Sequence, residues 1–127
     1  MAIIGGALAM AVALAGAATP AAADGPLIPA EFRGEWNSKT EDCGTANNDS
    51  RLVISADKIE FYESTGTVRA AFMRGPFEAL IVADMTGEGA TWLDSYKFIL
   101  AGDGHYISTP SLDGTRFVRY RCPVKSK

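Results

Sequence analysis

The sequence predicts an all-β fold, specifically a small eight-stranded antiparallel up-and-down barrel carrying one disulfide. Three observations predict it. From Arg51 onward apolar and polar residues alternate with period two, turn chemistry interrupts the alternation every 8 to 12 residues, and no stretch holds a helical period for three turns. The first strand is Gly34 to Asn37. Strands over 51–55 and 58–63 flank a tight turn at Ala56-Asp57, and Ser64-Thr65-Gly66 leads into 67–73. Arg74-Gly75-Pro76 opens a strand over 77–85, which Gly87-Glu88-Gly89 separates from 91–100. Ala101-Gly102-Asp103-Gly104 precedes 105–109, and the hairpin signal Asp113-Gly114 precedes 115–122.

Eight consecutive strands on short connections shed their edges by closing into a barrel, although a two-sheet sandwich shows the same alternation. The predicted inward face carries Leu52, Ile54, Ile59, Phe61, Val68, Ala70 and Phe72, then Phe77, Ala79, Ile81, Ala83, Trp92, Tyr96 and Phe98. Lys58, Glu60, Arg69, Glu78, Asp84 and Lys97 run along the other face.

Ahead of the strands, residues 1–23 contain no charged side chain and pass from an apolar segment into Pro20-Ala21-Ala22-Ala23. Small residues at Ala21 and Ala23 fit the pattern that a signal peptidase cuts after, so 1–23 is the expected signal peptide and 24–127 one soluble domain, periplasmic or secreted. The Lys or Arg that normally precedes such a segment is missing, so either the terminal amine serves alone or the start lies upstream of Met1, the second being the favoured expectation. The segment is rich in Ala and Gly, short for a span and without a basic flank, so no stable membrane insertion is expected after cleavage. The domain is expected to be a monomer.

The net charge is -3, and all the charged side chains lie in 24–127. Such a domain lacks the basic face that phosphate neutralisation needs, which argues against a nucleic-acid partner. Arg116, Arg119, Arg121, Lys125 and Lys127 gather after the last acidic residue, Asp113, and read first as a solvated strand face and tail, with a docking patch for an anionic partner as the alternative. Cys43 and Cys122 are the 2 cysteines. In an oxidising compartment an isolated pair closes, and these two are too far apart in sequence for a redox-active C-x-x-C. On the chain-entropy account a bridge closing a loop of about 80 residues is worth roughly 4 to 5 kcal/mol.

Pro29-Ala30-Glu31-Phe32 reads as one helical turn leading into Gly34-Glu35-Trp36, which resembles the G-x-W opening of lipocalins, avidins and related calycin barrels. In those families an Arg or Lys of the last strand packs across the tryptophan, so the resemblance implies barrel-closure packing among Gly34, Trp36 and either Arg119 or Arg121. A second resemblance covers most of 24–127. Phe32-Arg33-Gly34-Glu35-Trp36, Asn48-Asp49-Ser50-Arg51-Leu52, Phe61-Tyr62-Glu63-Ser64 and Arg119-Tyr120-Arg121-Cys122 look like a family of small exported bacterial proteins with no assigned activity, which lends no functional residues.

Catalytic, metal and cofactor constellations fail on inspection. His105 is the 1 histidine, which excludes His-clustered metal sites, and it reads as a turn or strand-edge residue. Glu60 and Glu63 are three apart, so on one regular strand they point to opposite faces. Gly87-Glu88-Gly89 lacks the spacing of a phosphate cradle. Asp42, Asn47, Asn48 and Asp49 offer oxygens in the longest connection, 38–50, but not at EF-hand spacing, and read as polar turn structure pinned through Cys43.

The expectation is therefore a non-enzymatic exported binding module without catalytic residues, metal or cofactor, engaging an envelope or extracellular protein through its loops or rim. Its fold resembles that of exported bacterial inhibitors of lysozyme and of metalloproteases, but the S-G-x-x-Y loop of the lysozyme inhibitors is absent and Ser64-Thr65-Gly66-Thr67-Val68 is only a loose echo of it. Strands this short leave an interior that side chains fill, and 6 Phe, 4 Tyr and 2 Trp are at hand to fill it. The alternative is a small carrier of an apolar ligand, with Ala70, Ala79 and Ala83 leaving space inside the barrel.

Overall fold

The computed structural model describes residues 27–46 and 48–124, which leaves the expected signal peptide, Asn47, Lys125 and Lys127 outside the described residues. The chain closes into an antiparallel barrel with strands in sequence order: β1 (Gly34–Asn37), β2 (Leu52–Ile54), β3 (Lys58–Phe61), β4 (Thr65–Met73), β5 (Glu78–Gly87), β6 (Ala90–Ala101), β7 (Tyr106–Pro110) and β8 (Arg116–Arg121). The last strand returns to the first through Trp36↔Arg121 and Asn37↔Tyr120, which settles barrel over sandwich. An up-and-down meander gives the barrel two distinct ends. Connections β2–β3, β4–β5 and β6–β7 share the closed end with a 3-10 turn, Ala30–Phe32, while the 38–51 segment and connections β3–β4, β5–β6 and β7–β8 form the loop end.

Local chemistry accounts for the strand limits. β5 and β6 run further than the alternation implies because Glu88 and Gly89 both take positive φ, 49° and 77°, forming a two-residue turn between the paired Gly87 and Ala90. Such a turn matches the twist of the flanking strands and carries pairing to the tip of the hairpin. At the closed end the 3-10 turn lays Ile28 and Phe32 into the barrel, and the Leu27 and Ile28 amides both donate to the Ala56 carbonyl.

Inward residues fill the interior in layers. Trp36, Leu52, Ile81, Phe98 and Ile107 are among its fully buried side chains, and Ala79 and Ala83 are buried against them. Outside, Arg69 pairs with Asp84, and Lys97 donates to Glu78 at 2.8 Å. That bond and the positive charge of Lys97 hold the Glu78 carboxyl below its usual pKa.

One part of the predicted inward face is corrected. The pairing of β4 with β5 slips between Val68↔Ala83 and Ala70↔Val82, so Arg69 is an extra residue in a β-bulge. A bulge reverses the facing of everything after it on its strand. Ala71 therefore packs against the core while Ala70 and Phe72 turn outward, and Phe72 is 59% exposed. Phe77 precedes β5 at the barrel rim and is 62% exposed, and Trp92 is exposed at the other end of the β5–β6 hairpin.

Gly66 faces inward on β4, where a Cβ would lie within 2.3 Å of the Met85 sulfur and 3.2 Å of Ala83 and Ile59. Met85 is fully buried, so it has little room to yield. Gly66→Ala is expected to cost about 1–3 kcal/mol by overpacking, and Met85→Ala about 2–5 kcal/mol through the cavity it leaves. In urea unfolding the double variant should be more stable than the sum of the two losses by at least about 1 kcal/mol, because each change relieves the other.

Candidate functional site

The closed end is built around Arg121. Its guanidinium carbon lies 4.2 Å from the centroid of a Trp36 ring, with Gly34 alongside at φ 128°, where a Cβ would come within 3.4 Å of the guanidinium. Arg121 Nη1 donates to the Arg33 carbonyl at 2.8 Å, Nη2 to the Glu31 carbonyl at 2.5 Å and Nε to the Gly104 carbonyl at 2.8 Å. Trp36 Nε1 donates to the Phe32 carbonyl at 3.0 Å. One cation thus ties the 3-10 turn, β8 and the β6–β7 connection together, using the planar fork that distinguishes Arg from Lys. Burial lowers the Arg121 pKa without removing its charge.

Beside this clasp lies a groove of about 710 Å³, lined by Pro29, Met73, Phe77 and Leu100 with Glu31, Asp103 and Arg121 at its polar margin. Phe72 and Leu80, cross-strand partners on the outer face of the same hairpin end, are exposed as well. Large apolar side chains therefore stand in solvent on both faces of the β4–β5 end, a concentration that marks interaction surfaces more often than chance.

The 38–50 connection folds back along β1, so that Cys43 is bonded to Cys122 just past the closed-end terminus of β8. Glu35 Oε2 accepts from the Gly44 amide at 2.7 Å and from Asn37 Nδ2 at 3.0 Å. Glu35, Cys43 and Cys122 converge within 4.8 Å, but both sulfurs are spent in the disulfide and offer no thiolate to a metal. Within the loop, Asn48 Nδ2 donates to the Thr45 carbonyl and hydroxyl, both at 3.1 Å, and the Ser50 hydroxyl meets those of Ser38 at 2.9 Å and Asn48 Oδ1 at 3.2 Å. The Asp42 carbonyl and the Asn48 side chain thus belong to a self-bonded turn among the described residues.

Arg119 does not share the tryptophan. It points into the barrel two residues before Arg121, is 8% exposed, and donates from Nε to the Ser50 carbonyl at 2.7 Å. Its guanidinium carbon lies 4.5 Å from the Phe117 centroid and 5.8 Å from that of Phe61. The expected solvated basic face is therefore corrected at its centre: Arg116 is exposed, but Arg119 and Arg121 turn inward because β8 pairs with β1 and β7 in that register.

Across the interior, Tyr96 packs on Phe61 at 5.1 Å and on Phe98 at 6.1 Å, and its hydroxyl donates to Asp94 Oδ2 at 3.1 Å. Trp92 Nε1 reaches the same oxygen at 3.4 Å. Sequence reasoning missed Asp94, although a carboxylate between Trp92 and Tyr96 at an inward position of a strand is a legible irregularity. His105 is exposed in the β6–β7 connection, and Glu63 lies in the turn after β3, off the strand that holds Glu60. Among the described residues no helix is long and apolar enough to cross a membrane.

Comparison with protein families, characterised proteins and solved structures found no match. The site is therefore read from its own geometry.

Replacing Arg121 with Met should destabilise the barrel by about 3 kcal/mol in urea unfolding, since three carbonyls lose a charged donor and Trp36 its cation. Arg121→Lys should restore less than half, because one ammonium cannot serve three diverging carbonyls. Burial, reinforced by Asp94, pushes the Tyr96 pKa up to about 12 from the ordinary tyrosine value of 10.0. The folded state thus favours the neutral phenol, a contribution complete below pH 10 and lost as pH rises towards 12. Ultraviolet titration should show a phenolate step near pH 12 that Tyr96→Phe removes and Asp94→Asn moves lower.

Proposed function

We propose that this chain is an exported, non-enzymatic binding module, a calycin-type barrel that engages a protein partner in the periplasm or outside the cell. One observation carries the reading: the interior is occupied by fully buried side chains such as Trp36, Phe98 and Ile81, while Met73 and Phe77 stand exposed in the closed-end groove and Phe72 and Leu80 on the outer face of the same hairpin end. A carrier of the lipocalin kind needs the reverse, an empty axis and a polar exterior. Here the apolar surface in search of a partner is on the rim.

The groove also fits the chemistry of a protein ligand. Its floor is apolar and two carboxylates, Glu31 and Asp103, sit at its margin, so a segment with one large apolar side chain beside a basic residue is complementary to it. The Trp36–Arg121 clasp makes one wall rigid, which lowers the ordering cost of binding. The disulfide is compatible with an oxidising compartment. A second reading has its own support, because a volume of about 710 Å³ falls in the range of small-molecule pockets. In that reading the apolar ligand would sit in the groove and not on the barrel axis.

The deciding experiment is capture from native envelope extract with the oxidised protein as bait, read by mass spectrometry for proteins and extracted small molecules. A partner held by the parent protein and by Leu112→Ser, a fully exposed change at the loop end, but weakened at least about tenfold by Phe77→Ser would support the module. Capture that ignores Phe77→Ser overturns the groove as its binding element. A bound lipid or cofactor without a protein would replace the module with the carrier.

A further inference from the structure

At the loop end, the connection after β1 and the start of β8 line a second, open pocket of about 470 Å³, formed by Ser38, Lys39, Asn48, Ser50, Phe117 and Arg119 together with Asp42 and Asp49. It lies at the end of the barrel opposite the groove. We propose that this pocket is a carboxylate-binding site in which the terminal nitrogens of Arg119 take both oxygens of the ligand and Phe117 takes its apolar body.

The chemistry of Arg119 points there. Its side chain is more than nine-tenths buried, yet the ion pairs among the described residues are Arg69–Asp84, Arg74–Glu78 and Lys97–Glu78, and none involves it. Its one hydrogen bond among the described residues uses Nε, which leaves Nη1 and Nη2 without a protein acceptor but not sealed from solvent, and Arg119 lines the pocket. Burial alone draws its pKa down to about 10, with no carboxylate opposing the shift. A desolvated cation without a counter-ion is costly, and the Phe61 and Phe117 rings offset only part of that cost. A carboxylate completes the guanidinium fork in the bidentate geometry for which Arg is suited.

The pocket walls narrow the ligand further. A dianion such as phosphate would meet Asp42 and Asp49 with charge left over, whereas the single charge of a carboxylate is taken up by Arg119. Phe117 is 44% exposed and already has the guanidinium on it, so a flat or apolar group beside the carboxylate extends an existing stack. The wall is preset by the Cys43–Cys122 bridge and by the Ser38–Ser50 and Ser50–Asn48 hydrogen bonds. Two sources share this chemistry, a free aromatic or aliphatic acid and the C-terminal carboxylate of a polypeptide.

The test uses the oxidised protein and nitrogen-15 NMR of the arginine Nε–H and backbone amide signals. Benzoate is titrated against its neutral isostere benzamide, and a short peptide with a free C-terminus against the same peptide amidated. The expected result is saturable movement of the Arg119 Nε–H and the Ser50 and Phe117 amides, with benzoate or the free-carboxylate peptide at least about tenfold tighter than its neutral counterpart. A tighter peptide names a chain terminus as the source, and a tighter benzoate names a small acid. Arg119→Met should abolish the difference while Phe117→Leu weakens both acids. Charged and neutral probes that bind alike, or no movement at millimolar benzoate and millimolar peptide, would overturn the proposal without relying on any variant. The groove at the other end is untouched by this outcome, because Phe77 is not part of this pocket.

Discussion

The barrel depends on its seam. β5 and β6 share ten register pairs, but β1 and β8 share only Trp36↔Arg121 and Asn37↔Tyr120, since β1 is 4 residues long. A two-pair ladder is too little to hold a closed sheet against the entropy of opening, so closure rests on what surrounds it. Arg121 spans the seam at the closed end with three carbonyls and the Trp36 ring. Just beyond β8, the Cys122 amide donates to the Glu35 carbonyl at 2.8 Å while its sulfur is tied to Cys43. Cation, disulfide and one added backbone bond together replace the strand length that β1 lacks.

That solution explains the difference between the two ends. Where the clasp works, the 3-10 turn seals the axis with Phe32 and Ile28, and the apolar surface left over is displaced to the β4–β5 rim. At the loop end the long 38–50 connection, anchored back towards the clasp through Cys43–Cys122, is held by its own hydrogen bonds and leaves the polar pocket above Arg119. Clasp and disulfide both act at the Arg121–Cys122 end of the seam, which carries the apolar groove, while the charged pocket lies under the connection at the other end.

The strands were legible because most of them are half-buried. Period-two alternation is a direct trace of one wet and one dry face, and turn signals such as Asp113-Gly114 mark where it must break. The bulge at Arg69 was not legible, since an inserted residue leaves no composition signal and shows only as a change of partner; Ala70 and Phe72 then turned up on the wrong face. The G-x-W opening pointed to an arginine of the last strand without deciding between Arg119 and Arg121. Both have the same parity on β8, so choosing needs the register with β1, which alternation does not encode. The Asn37–Cys122 and Arg119–Ser50 contacts were invisible for a related reason, because they join positions brought together only when the barrel closes.

Two arginines on one face of one strand, two residues apart, thus meet opposite fates. Arg121 has spent each of its three nitrogens on carbonyls and stacks on a buried indole, so its charge is used to hold the fold. Arg119 is the more deeply buried of the two and has spent one nitrogen. If packing alone had shaped position 119, an apolar side chain of similar length would avoid the desolvation cost and fill the same space between Phe61 and Phe117. An arginine there buries a charge that the fold does not neutralise, and its open nitrogens face solvent through a pocket wide enough for a small acid. The two positions thus differ in one respect: the charge of Arg121 is matched by carbonyls and an indole, and that of Arg119 has one carbonyl and two aromatic rings.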